Sequence, residues 1–203
     1  MVQSPTAIVP QEAYDDDALT VARRLLGAHL VRDNVRLRIT ELEAYRWPHD
    51  SANHCRVGRT ARNAPMWGPP GHAYVYLCYG LHNLLNLVTG PEGQGAAILV
   101  RAAEPVEGLG TIQSRRGGRT GPVLLTGPGK VGAALDLDRQ WSHHPLFQSG
   151  GLEVQWGERP GSILEGPRVG IGYADPEDIA APWRLAIGGT RWVSERRTLV
   201  PAP

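Results

Sequence analysis

Apolar and polar side chains alternate most regularly through residues 29–45, which predicts strands there. Alternate positions of a strand share a face. Val35, Leu37 and Ile39 fall on one such face, and the same count carries Glu41, Glu43 and Tyr45 onto it. A carboxylate set among apolar groups without a partner is costly. Two of them close together raise each other's pKa by repulsion and lost hydration, which is the environment of a general acid or base. The structural alternative is that both glutamates pair with arginine, or that the strand bends and exposes them.

The pattern elsewhere predicts short elements. Residues 1–14 read as a loose arm, and 15–203 as one domain. Asp15, Asp16 and Asp17 offer an N-cap for a helix whose stripe is Leu19, Ala22, Leu25 and Leu26, stopped at Gly27. Residues 49–71, rich in Gly, Pro, Asn and Arg, read as a long loop, a length that is often functional. Strands follow over 71–79 and 81–89, with a tight turn at Tyr79-Gly80, and a third apolar strand over 96–101. Helices are predicted over 105–116 and from Gly127-Pro128-Gly129-Lys130 through Leu135, and further strands over 152–156, 168–171 and 185–187. Consecutive strands joined by turns, with helices at the flanks, give an α+β fold: one domain with a mainly antiparallel, curved sheet flanked by helices, and a protruding β-hairpin.

Composition sharpens this picture. The 203 residues, 41% of them hydrophobic, suffice for one good core. With 25 Gly and 17 Pro the chain favours turns over a helical bundle. Six Trp and six Tyr against one Phe bias the aromatics toward rings with a polar handle. Cys55 and Cys78 make no disulfide framework. Neither a secretory leader nor a membrane-spanning apolar run is visible, so the expectation is an intracellular, cytoplasmic protein.

Net charge is +1, but its distribution is uneven. The first twenty residues hold Glu12, Asp15, Asp16 and Asp17 and no base, which leaves 21 basic against 16 acidic residues in the remainder. Lys130 is the single lysine. Arginine is the better bidentate phosphate ligand, although codon bias accounts for missing lysines equally well. A total so near neutral predicts weak non-specific binding to DNA.

Several constellations have chemical potential. Tyr45 and Tyr76 with His54 can form an aromatic slot in which a planar base stacks, for about 1–3 kcal/mol per base; a cationic ring gains more. Asn86, amid Leu84, Leu85, Leu87 and Val88, needs a partner, either backbone or a ligand edge. Arg101 ends an apolar strand, where it can neutralise a glutamate or hold a water. Tyr79 at a hairpin tip can wedge between base pairs. Arg56, Arg59 and Arg62, with Arg115, Arg116 and Arg119, suit phosphates or simply a solvated face. Gly127 to Lys130 precedes a helix, where amides attract phosphate, but Leu124 and Val131 stand where a Walker A loop needs Gly and Ser or Thr. His49, Asp50 and His54 lack metal-site spacing, so neither metal nor cofactor is expected.

The order of these motifs carries more than any one of them. Ile39-Thr40-Glu41-Leu42-Glu43-Ala44-Tyr45, Ser51-Ala52-Asn53-His54, Arg62-Asn63, Met66, Pro70-Gly71, Tyr74-Val75-Tyr76 and Tyr79-Gly80 are followed by Asn86 and by Leu99-Val100-Arg101-Ala102-Ala103-Glu104-Pro105. Gly127 to Lys130 and Arg168-Val169-Gly170-Ile171-Gly172 complete the series. Together they resemble the alkyladenine (3-methyladenine) DNA glycosylases, from the first helix to Trp192.

The resemblance implies a monofunctional DNA repair glycosylase of bacterial, nucleoid-associated character. Such an enzyme works as a monomer on duplex DNA containing alkylated or deaminated purines, of the 3-methyladenine, 7-methylguanine, hypoxanthine and ethenoadenine class. It flips the base out and hydrolyses the N-glycosidic bond. Carried over, Glu43 activates the attacking water and Arg101 positions it. Tyr45, His54 and Tyr76 enclose the base, Asn86 excludes guanine, and Tyr79 fills the gap in the duplex. Arg56, Arg59 and Lys130 meet phosphates. Leu81, His82 and Asn83 depart from the family pattern, which has bulkier or more aromatic residues after Tyr79-Gly80. A lesion-recognising module without catalysis would use the same slot with Glu43 purely structural. Independently of resemblance, a lyase needs an amine for a Schiff base, and one lysine besides the N-terminal amine favours direct hydrolysis by water.

Overall fold

The computed structural model describes residues 7–203. Its first hairpin joins β1 (His29–Arg32) to β2 (Val35–Tyr45) through Asp33 and Asn34. Asp33 has φ +54°, which Asp tolerates better than most residues in a two-residue turn. The second hairpin pairs β3 (Ala73–Cys78) with β4 (His82–Val88), and β5 (Ala97–Glu107) follows beside β4. Later come β6 (Leu152–Gln155), β7 (Ile163–Gly166), β8 (Arg184–Ile187) and β9 (Val200–Pro201). The strand order is β3-β4-β5-β2-β8-β7-β9, with β1 branching from β2 and β6 pairing with β1, and every ladder is antiparallel. This is the expected single α+β domain with an antiparallel sheet.

Among the described residues four α-helices accompany it: α1 (Ala18–Leu25), α2 (Leu109–Arg115), α3 (Pro128–Ala134) and α4 (Pro176–Ala180). Asp17 caps α1 by accepting from the Leu19 N–H at 3.1 Å, and Val21, Ala22 and Leu25 face inward as the stripe requires. The helix α3 packs on β4 and β5, and only glycine fits at 132: a Cβ there would stand 2.0 Å from the Asn83 carbonyl oxygen.

The centre of the sheet departs from simple alternation. One edge of β2 runs along β5, while its other edge serves β1 over residues 35–38 and β8 over residues 41–43. Between Ile39 and Leu42 the β2–β5 register slips twice in opposite senses, leaving Thr40 and Arg101 without direct partners. Val35, Leu37 and Ile39 belong to the main core, and so do Leu42 and Ala44. The in–out phase therefore reverses, and Glu41, Glu43 and Tyr45 do not share the face of Val35, Leu37 and Ile39. A bulge re-aims side chains in this way.

Three other expectations are corrected. Of the arm over 1–14, residues 1–6 lie outside the described residues. Residues 7–14 are pinned: Ile8 bridges Gln155, and Val9, Ala13 and Tyr14 are buried in the main core. Residues 168–171 form no strand, because Arg168 is anchored to Asp50 and Gly170 takes φ +78°. Finally, β5 continues to Glu107, so the following helix starts at Leu109 instead of 105. Among the described residues, no helix is long and apolar enough to cross a membrane.

Candidate active site

Behind the irregular centre of the sheet lies a second apolar cluster, Cys55, Met66, Tyr74, Val88 and Ala97, with Tyr76 and two tryptophans against it. Above it opens a cavity of about 540 Å³, within the size range of small-molecule sites. Tyr45, His54, Tyr76, Asn86, Arg101 and Tyr79 all line it. Tyr45 and Arg101, 56 positions apart in sequence, thus border one cavity. Arg62, Met66, Val169 and Tyr173 also line it.

The long loop supplies His54 and Arg62, and two asparagines give it form. Asn53 donates from Nδ2 to the Arg46 and Gly95 carbonyls at 2.6 and 2.7 Å. Asn63 donates to the His54 and Gly58 carbonyls at 3.0 and 2.9 Å. His54 Nδ1 lies 3.2 Å from the Tyr74 hydroxyl, and its ring meets Tyr76 edge-on with centroids 4.7 Å apart. Burial, then Arg62 and Arg56, push its pKa down, so the imidazole is neutral. Burial raises the Tyr74 pKa to about 12.

Hairpin register places the amide. Asn86 pairs with Tyr74 on one side and Leu99 on the other, and donates from Nδ2 to the Tyr74 carbonyl at 3.1 Å. Among the described residues its Oδ1 receives no donor. At the tip, Leu81 N–H donates to the Cys78 carbonyl, and Tyr79 and Gly80 have φ +50° and +70°, the signature of a type I′ turn. Tyr79 is 91% exposed.

The two glutamates are both fully buried yet differently bound. Glu41 accepts from Arg184 Nη1 at 2.8 Å, from the Ser194 N–H at 2.7 Å and from Ser194 Oγ at 2.9 Å, with Arg101 Nε at 3.4 Å. Glu43 Oε1 accepts from the Val169 N–H at 2.7 Å and lies 3.3 Å from Arg101 Nη1. Among the described residues its Oε2 accepts only from the Tyr45 hydroxyl, at 3.1 Å. Glu41 thus receives three hydrogen bonds and Glu43 two, with Arg101 beside both, and among the described residues each carboxylate keeps an Oε2 with a single donor. Glu43 sits just behind the cavity wall, bonded to three residues that form it: Tyr45, Arg101 and Val169.

Burial pushes the Glu43 carboxyl above the ordinary carboxylate range, and Glu41 adds to the rise; Arg101, the Val169 N–H and the Tyr45 hydroxyl pull it back. For Arg101 burial opposes the charge, but Glu43 and Glu41 outweigh it and its pKa rises.

Other expected residues lie apart. Arg56, Arg59 and Lys130 do not line the cavity. The Arg56 guanidinium rests 5.2 Å over the Tyr173 ring, Arg59 is exposed, and Lys130 donates to the Thr126 carbonyl at 2.8 Å. Asp50 gives both oxygens to Arg168, at 2.6 and 2.8 Å, and among the described residues no group of three His, Cys, Asp or Glu can hold a metal. Sequence reasoning assigned no role to Tyr173, Arg184 or Ser194; only the three-dimensional pairing of β8 and the C-terminal segment with β2 reveals the last two.

A family model described as methylpurine-DNA glycosylase matches residues 12–191. The chain belongs to the methylpurine-DNA glycosylase family. Among its relatives, a Nitrosococcus oceani protein named, provisionally, a 3-methyladenine DNA glycosylase is 63% identical over 196 residues, covering 97% of this chain and 98% of the relative. The Arabidopsis thaliana DNA-3-methyladenine glycosylase is 56% identical over 202 residues, covering 98% and 79%. A Methanocella arvoryzae relative, also provisionally named, is 44% identical over 194 residues, covering 93% and 96%. With a plant member, the family is not confined to bacteria. As a methylpurine-DNA glycosylase the chain is an enzyme of DNA repair that acts on DNA.

Proposed function

We propose that this glycosylase, acting as a monomer, flips a damaged purine from duplex DNA into the cavity and hydrolyses its N-glycosidic bond with a water activated by Glu43. One observation carries the reading. Among the described residues each buried glutamate has an Oε2 with one donor, but that of Glu43 is held by Tyr45, which lines the cavity, and that of Glu41 by Ser194, which does not. A water lodged between Oε2 and the sugar gives its proton to that oxygen as it attacks. Arg101 holds the carboxylate ionised against the pull of burial, and the same guanidinium orients the water.

The rest of the cavity suits the base. Tyr45, Tyr76 and His54 present aromatic surface, and a neutral imidazole does not repel a cationic 3-methyladenine or 7-methylguanine. Asn86, fixed to Tyr74, collides with the exocyclic amine of guanine and so disfavours the normal base, whereas 7-methylguanine, which bears the same amine, is released despite the poorer fit because its cationic ring leaves readily. Hypoxanthine and ethenoadenine lack that amine and fit the same slot. Tyr79, exposed at the hairpin tip, fills the space left in the duplex. Arg56, Arg59 and Lys130 meet phosphates outside the cavity. Lys130, the single lysine, donates to the Thr126 carbonyl and does not line the cavity, which favours water over a Schiff-base nucleophile.

The test is base release from duplexes containing 3-methyladenine, hypoxanthine or ethenoadenine. Glu43→Gln is expected to lower release at least roughly 10²-fold while lesion-duplex affinity survives. Equal turnover in that variant overturns the assignment.

A further inference from the structure

Resting on the reading of Glu43 as the base, we infer that Ser194 is a positioning residue that fixes the Arg101 guanidinium against Glu43, with Glu41 and Arg184 as its anchor. Ser194 lies beyond the span matched by the family model. Its hydroxyl has one proton to donate and lone pairs to accept. The proton goes to Glu41 Oε1 at 2.9 Å, which turns the lone pairs toward Arg101: Nε at 3.4 Å and Nη2 at 3.3 Å. Those two contacts leave Nη1 for Glu43. The serine thus determines which edge of the guanidinium faces the base.

The anchor is itself over-determined. Arg184 Nη1 donates to Glu41 at 2.8 Å and to the Ser194 carbonyl at 3.3 Å, while its Nε donates to the Pro167 carbonyl at 2.7 Å. Its Nη2 reaches the carbonyl of Glu195, a residue held at φ +39°. A non-glycine residue in that conformation persists only where its surroundings enforce it. Charge accounts for the second arginine. Glu41, Glu43, Arg101 and Arg184 form a buried cluster of two negative and two positive groups. With Arg184 neutralising Glu41, the charge of Arg101 is free to act on Glu43; without Arg184, Glu41 would compete for it.

Ser194→Ala removes the acceptor and loosens Arg101, whose field then helps neither the carboxylate nor the water. Single-turnover release from a 7-methylguanine duplex is expected to fall about tenfold, since small misplacements of catalytic groups are costly. Lesion-duplex affinity stays within about twofold, and the acidic limb of the pH–rate profile moves to higher pH. Ser194→Thr, which keeps the hydroxyl, restores rate and profile. In an Arg101→Ala background, Ser194→Ala has no further effect, because its action runs through Arg101. A wild-type rate and profile in Ser194→Ala, or an undiminished effect in the Arg101→Ala background, overturns the inference and leaves the reading of Glu43 to be judged by Glu43→Gln. A fall in rate with an unmoved acidic limb likewise counts against the coupling to Glu43.

Discussion

The Tyr45 hydroxyl offers the sharpest handle on Glu43. Among the described residues it is the only donor on Oε2, at 3.1 Å. Tyr45→Phe deletes that donor and keeps the ring, which the Arg168 guanidinium covers at 4.8 Å. A hydrogen bond to an ionised acceptor contributes about 1.5–3 kcal/mol. At 3.1 Å the bond is long for O–H···O, so the lower end applies, about 1.5 kcal/mol, or roughly a tenfold change in protonation equilibrium. The bond favours the charged carboxylate, so its loss raises the Glu43 pKa further. On the acidic limb, release at a fixed pH is expected to fall about tenfold, with the plateau at higher pH nearly unchanged. The assay is single-turnover release from a 7-methylguanine duplex, corrected for spontaneous loss. That base is already cationic and needs no proton to leave, so the limb reports the base catalyst alone. Coincident limbs for wild type and Tyr45→Phe, or a shift toward lower pH, refute the reasoning.

Two predictions concern stability. The folded-state pKa of Glu43 lies above its unfolded value, so its contribution is fully present below the unfolded pKa and is lost as pH rises through the folded one. In urea titrations across pH, wild type is therefore expected to lose stability relative to Glu43→Gln as pH rises through that window; a gap that opens on acidification instead would refute the sign. The Asp50–Arg168 pair is fully buried and bidentate. Asp50→Asn leaves the guanidinium without its counter-charge and is expected to cost about 3–5 kcal/mol, read as a lowered urea midpoint; an unchanged midpoint would show that Arg168 is solvated.

Much of the site was legible because short-range rules place it. The turn at Tyr79-Gly80 marks the hairpin, but the observed register pairs Cys78 with His82, leaving Leu81 in the loop as well, and it is this extra residue that sets Asn86 opposite Tyr74 instead of Ala73. Alternation correctly put Glu41, Glu43 and Tyr45 on a common face, and the family motifs drew in His54 and Arg101. The phase reversal was not legible. It depends on where β1 ends and β8 begins along β2, and on an unpaired Arg101 across the ladder. Nothing near Thr40 announces either. Residues 168–171 show the same limit from the other side. Val169 and Ile171 alternate like strand residues, but no partner edge is offered to them. The Val169 amide goes to Glu43 instead of a ladder.

The contrast between the two glutamates bears on whether the cavity cuts or only recognises. Both carboxylates are inaccessible to solvent, two residues apart on one strand, and share one arginine. Arg184 and Ser194, 143 and 153 residues away from Glu41, give it three hydrogen bonds, against two for Glu43. An open lone pair in a buried carboxylate is an unmet hydrogen bond, and each glutamate has an Oε2 with one donor among the described residues. That of Glu41 faces Ser194, away from the cavity lining, whereas that of Glu43 is held by Tyr45, a residue of the cavity wall. The proposed water has a place beside Glu43 and none beside Glu41, which assigns the base to Glu43 and its test to Glu43→Gln.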